Sequence, residues 1–122
     1  MKSTGPSPVI TIAEQPGTLL VKYHGIQVAA STRALVMLEA NYPPVYYVPW
    51  EDIAEQYFAR TDHTTYCPYK GDATYYSLKV TGHEAANAVW RYENPKVSVE
   101  QIRGYVAFYP DQVTFEVLKN IE

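Results

Sequence analysis

The chain has 122 residues, enough for one compact domain with one real core and too few for two. A net charge of −3, with four arginines and six lysines scattered along the chain, excludes a nucleic-acid backbone binder, which needs a basic surface. A single cysteine excludes an intramolecular disulfide and a multi-cysteine zinc site, and no apolar run reaches the ~18–20 residues that span a bilayer.

Residues 1–8 are polar, carry Pro6 and Pro8, and predict a flexible arm without the apolar core of a signal peptide. A cytoplasmic protein is expected, with residues 9–122 as a single mainly β domain. Twelve tyrosines against three phenylalanines and two tryptophans fit that class. Tyrosine suits half-buried strand positions and site walls, where the ring packs and the hydroxyl stays hydrogen-bonded.

Val9–Ala13, Thr18–Tyr23 and Ile26–Ala30 read as strands joined by hairpin turns at Pro16-Gly17 and His24-Gly25. In the second of them Leu19, Val21 and Tyr23 share one face, the mark of a half-buried strand. Ser31–Glu39 admits two readings: its Ala, Leu, Met and Glu favour a helix that Ser31 or Thr32 could cap, whereas Asn41-Tyr42-Pro43-Pro44 forces an extended exit and favours extended structure in its second half. Val45–Val48 is a short aromatic strand. Trp50–Ala59 predicts the one short helix: Ile53, Ala54, Tyr57 and Phe58 form an apolar stripe, and Glu51 and Asp52 sit in the first turn. Thr74–Val80 and Ala85–Tyr92 form a further hairpin across residues 81–84. Val99–Arg103 predicts one helical turn, and Tyr105–Tyr109 with Gln112–Leu118 predicts a closing hairpin across Pro110-Asp111.

The segment TTYCPYKGDATYY, residues 64–76, holds the only cysteine. A Cys-Pro-Tyr-Cys dithiol would need a second cysteine and a helix after the first thiol. Here Lys70 takes the place of the second cysteine, and a turn leads into a β-branched and aromatic run. Dithiol redox chemistry is therefore set aside. Cys67 is left as a half-buried thiol or as a single nucleophile served by Lys70 and His63. In Lys70-Gly71-Asp72 the glycine permits a positive φ, and a fixed lysine on such a turn can hold an anionic group. Trp90, Arg91, Tyr92 and Glu93 add rings and both charge signs at a strand end, the ingredients of a small polar-ligand pocket. Neither a phosphate-binding glycine loop nor a paired-histidine metal motif occurs; His24, His63 and His83 stand apart.

The segments VAASTRALVMLEANYPPVYYVPWEDI, TTYCPYKGDATYYSL, NAVWRYENP and IRGYVAFYPDQV resemble, in order and spacing, a widespread bacterial and fungal domain-of-unknown-function family. The motifs T-x-C-P-Y-K-G and W-x-Y-E carry the resemblance, which runs from about Val28 to Val113. It implies a small β fold of the tent-like or barrel-like, Mss4-like type with a short helix near 50–59. It also brings a nucleotidyltransferase-like label, although this sequence shows neither a phosphate loop nor paired carboxylates for divalent metal. Ala30 stands where family members often have an aspartate.

The expected site is a cleft formed by Tyr69, Lys70, Asp72, Tyr75, Trp90, Tyr92 and Glu93, with Cys67, Lys70 and Asp72 as the catalytic candidates. It would take a small polar or anionic molecule, with Lys70 as charge anchor and no metal or other cofactor. Two alternatives stand beside it: an enzyme built on Cys67, Lys70 and Asp72, and a protein-interaction or self-associating module that uses its tyrosines.

Overall fold

In the computed structural model, which describes residues 9–119, the expected strands form and a further one, over residues 58–67, joins them to make ten. They are β1 (Ile10–Glu14), β2 (Thr18–Tyr23), β3 (Ile26–Ser31), β4 (Leu35–Glu39) and β5 (Val45–Tyr47), followed by β6 (Phe58–Cys67), β7 (Gly71–Val80), β8 (His83–Arg91), β9 (Val106–Phe108) and β10 (Thr114–Leu118). The arm expected at residues 1–8 lies outside the described residues.

The strands form three antiparallel sheets ordered β1-β4-β5, β10-β2-β3 and β6-β7-β8-β9, in one small, mainly β domain with no closed barrel. No helix is long and apolar enough to cross a membrane among the described residues. The four-stranded sheet serves two cores. Tyr76, Leu78 and Val89 pack with Leu19, Val21 and Val28 of the β2–β3 pair. Ala73, Tyr75 and Trp90 pack instead with Met37 and Tyr47 of the β4–β5 pair. Alternation explains β2 directly: Leu19, Val21 and Tyr23 are all buried, as their shared face requires.

The helix expected over Trp50–Ala59 is not formed. Two single 3-10 turns, Trp50–Asp52 and Glu55–Tyr57, stand in its place, and Phe58 already starts β6. The reason is a competing backbone partner. Ile53 turns extended, and the Ala54 N–H donates to the Val28 carbonyl of β3 at 2.8 Å rather than up a helix. A ten-residue segment has little helical stability of its own to resist that. Its apolar stripe still marks the inward-facing residues, because Ile53, Tyr57 and Phe58 pack against the first core. Asp52 fastens the first turn to β3: the Ser31 hydroxyl donates to it at 2.6 Å and the Arg33 guanidinium at 3.1 Å. Burial alone would push its carboxyl up, but these two donors outweigh it and hold the pKa below the usual value.

Two of the expected hairpins are corners between sheets. β1 pairs with β4, not with β2, and β10 pairs with β2, not with β9. A Pro-Gly or Pro-Asp step fixes a bend but does not choose the strand that follows it as partner. At the first corner Gly17 has φ +84, and a Cβ there would overlap the Leu118 carbonyl oxygen at the end of β10. Gly17→Ala is therefore expected to destabilise the fold by more than the ~1–2 kcal/mol that left-handed backbone costs a residue with a side chain. Gly82→Ala is the control. It has φ +83 but open space around the Cβ position, so urea denaturation should show it losing the backbone contribution alone.

The β2–β3 and β7–β8 hairpins, both expected, meet at their tips. His24 and His83, far apart in sequence, stack there with ring centroids 3.6 Å apart.

Candidate functional site

The β6–β7 hairpin turns through Pro68, Tyr69 and Lys70. Cys67 pairs with Gly71, the Lys70 N–H donates to the Cys67 carbonyl at 3.2 Å, and the Lys70 carbonyl accepts from Lys96 N–H at 2.9 Å. Gly71 closes the turn with φ +115, a conformation that L side chains resist. Held at both ends, the turn sends the Lys70 side chain inward, and the residue is only 8 % exposed.

A lysine can be buried only with a partner, and Glu39 at the end of β4 supplies it. Lys70 Nζ donates to Glu39 Oε1 at 2.7 Å and lies 3.9 Å from Cys67 Sγ. Cys67 is half-buried. Lys70 is thus not the free cation that a solvated turn would present.

These three side chains sit in the wall of a cavity of about 650 Å³, to which all three sheets contribute. Tyr46 and Tyr47 of β5, Tyr75 of β7, Trp90 of β8 and Tyr92 just beyond it supply ring faces. Phe108 of β9 and Phe115 of β10 complete the apolar wall, and Tyr42, Tyr69 and Tyr109 stand exposed around it. Trp90 and Tyr109 pack with ring centroids 4.7 Å apart.

Burial governs the hydroxyls. It pushes Tyr47 up to about 12, against the opposing effect of a hydrogen bond from Trp90. Tyr92 is raised too, first by burial and then by the acidic groups facing it, Tyr47, Cys67, Tyr75 and Glu39. Tyr109 is pushed up to about 12, by burial and then by its hydrogen bond with Tyr75. Tyr75 also shares a 3.0 Å hydrogen bond with the Thr65 hydroxyl.

Of the residues singled out from sequence, Cys67, Tyr69, Lys70, Tyr75, Trp90 and Tyr92 line this one cavity. Asp72 and Glu93 do not. Asp72 is exposed on β7, pointing away because its neighbours Gly71 and Ala73 are the buried positions of the alternation. Glu93 belongs to a separate charged group, 3.4 Å from Arg60 and 3.2 Å from Arg91, whose guanidinium also lies 4.1 Å over the Trp50 ring. Ala30 is not among the lining residues either.

Sequence reasoning missed Glu39, Tyr47 and Tyr109. A signal for Tyr47 was present: in Tyr42-Pro43-Pro44-Val45-Tyr46-Tyr47 two prolines hold a tyrosine-rich strand extended. Nothing local marks Glu39 as the partner of a lysine 31 residues away. Among the described residues, no three His, Cys, Asp or Glu side chains gather in an arrangement that could hold a metal ion.

Comparison with known families gives one result. The model of a family described as "Domain of unknown function (DUF427)" matches residues 11–119. No curated protein matches the chain.

Proposed function

The chain belongs to the DUF427 family of unknown function, and from that premise we propose that it binds a small, flat, polar organic molecule in the ring-walled cavity. One observation carries the reading: a concavity of about 650 Å³ walled by aromatic faces, with its few polar groups gathered around Glu39, Lys70 and Cys67. Small-molecule sites are of this kind, mostly apolar and of about 300–1,000 Å³, with a few placed polar groups.

The ion pair alters the expected ligand. With Glu39 at 2.7 Å, Lys70 gives the wall no net positive charge, so an anion would have to compete with a carboxylate already in place. A polyphosphate is poorly matched, because among the described residues Lys70 is the only cationic side chain in the lining. That counts against the nucleotidyltransferase-like label. The enzyme alternative keeps Cys67, whose thiol lies beside Lys70 in the wall, but loses Asp72 as an acid–base partner. The three-sheet arrangement without a closed barrel is compatible with the Mss4-like tent that the resemblance implies.

The test uses Trp90, which lines the cavity, whereas Trp50 packs under Arg91 outside it. A fragment set of flat aromatic compounds is titrated while tryptophan emission and the thermal midpoint are followed. Hits should change Trp90 emission and raise the midpoint. Tyr69→Ala, at an exposed wall position, should weaken them about tenfold while leaving the ligand-free protein as stable as before. Hits that ignore Tyr69→Ala and Trp90→Phe would place binding elsewhere and defeat the reading.

A further inference from the structure

The polar groups of the cavity wall are not equally occupied. Glu39 accepts from Lys70, Lys70 also reaches Cys67, and Tyr75 is bonded to Thr65. The Tyr92 hydroxyl has no hydrogen-bond partner among the described residues, although the residue is only 7 % exposed. Its backbone is pinned, the Tyr92 carbonyl accepting from Gly104 N–H at 2.9 Å. Tyr92 lines the cavity together with Tyr47, Tyr75, Cys67 and Glu39.

We propose that the ligand of this cavity is a neutral, flat molecule carrying a hydrogen-bond acceptor, a ring nitrogen or a carbonyl oxygen, which the Tyr92 hydroxyl engages. This rests on the reading that the cavity is a small-molecule site. A hydroxyl that no protein group engages is free to donate to an acceptor placed in the cavity. The acceptor is uncharged for two reasons. The Glu39 carboxylate and the Lys70 ammonium, paired at 2.7 Å, cancel one another, so an anion meets a carboxylate already in place on the lysine and a cation meets an ammonium already in place on the carboxylate. The rings of Tyr47, Trp90 and Phe108 supply flat apolar faces for the rest of the molecule.

The experiment uses a matched pair of probes, isoquinoline and naphthalene, which share shape and differ by one ring nitrogen. Both are titrated at pH 7.5 against the wild-type chain and Tyr92→Phe, with Trp90 emission and calorimetry as readouts. The wild-type chain should prefer isoquinoline by about fivefold or more, the worth of one neutral hydrogen bond that satisfies a buried donor. Tyr92→Phe should abolish that preference, leave naphthalene binding unchanged and not lower the thermal midpoint of the ligand-free protein. Equal affinity of the two probes for the wild-type chain overturns the proposal while leaving the cavity reading intact. So does a preference that survives Tyr92→Phe, or a ligand-free midpoint that falls because the hydroxyl had a partner after all. If neither probe reaches the Trp90 cavity, the cavity reading fails and the proposal falls with it. The wild-type comparison needs no variant to fold.

Discussion

Lys70→Met alone is expected to lower the stability of the fold by about 3 kcal/mol, the lower end of the cost of removing one partner from a buried ion pair. The lower end applies because the Glu39 side chain keeps 17 % of its exposure and the Lys70 side chain 10 %, so water screens the orphaned carboxylate in part. The loss comes from what is left behind. Without Lys70, the Glu39 carboxylate loses its 2.7 Å ammonium partner, and the described lining residues hold no second cationic side chain to replace it. The double change Lys70→Met/Glu39→Met should therefore recover most of the loss and lie within about 1 kcal/mol of the wild-type chain, since replacing a whole buried pair by apolar side chains is often near neutral. Urea denaturation of the wild-type chain, both single variants and the double variant closes a cycle. If the double variant is as unstable as Lys70→Met, the contribution of Lys70 is packing of its stem, and the ion pair carries little.

That pair also marks the boundary of what was legible beforehand. Alternation located the buried face of β2, because side-chain direction in a regular strand depends only on residue parity. The hairpins β2–β3 and β7–β8 were legible because their turn chemistry and their partners are both local. Cys67, Lys70, Tyr75, Trp90 and Tyr92 could be placed near one another for the same reason: β6, β7 and β8 are consecutive and pair in order.

What was illegible is whatever depends on a sheet assembled from distant segments. Pro16-Gly17 bends the chain, but whether β1 then pairs with β2 or with β4 is decided by the core between them. The segment after Pro49 shows the same limit at the level of hydrogen bonds. Its stripe named the inward residues correctly, yet the Val28 carbonyl, more than twenty positions upstream, took the Ala54 N–H that a helix would have used. Lys70 was visible as a charge on a turn. Its direction into the core depends on Glu39, and with that partner it changes from a candidate anion anchor into half of a neutral pair.

Raising the pH from 10 to 12 is expected to remove about 2 kcal/mol of stability through Tyr47 alone. A tyrosine in the unfolded chain ionises near 10, whereas burial pushes Tyr47 up to about 12 in the folded protein. Below pH 10 both states hold the proton and the fold is unaffected. Between the two values the unfolded chain has released its proton while the folded chain keeps it, so each further rise in pH favours unfolding. The two-unit gap, at 1.36 kcal/mol per unit, sets the limit reached above both values, and about 2 kcal/mol of it falls between pH 10 and 12. Tyr92, raised by burial and by the acidic groups around it, steepens the same limb. Tyr109 ionises late as well, but the residue is 40 % exposed and solvent weakens its effect on stability. Urea midpoints measured from pH 8 to 12 should fall above pH 10, and Tyr47→Phe should shallow that fall by about 2 kcal/mol at pH 12 while changing little at pH 8. Absorbance at 295 nm supplies the independent check, since Tyr47 and Tyr92 in the folded protein should ionise only as the chain unfolds. A fall in stability that Tyr47→Phe leaves untouched would mean that this hydroxyl is hydrated, and the cavity wall more open to water than its geometry indicates.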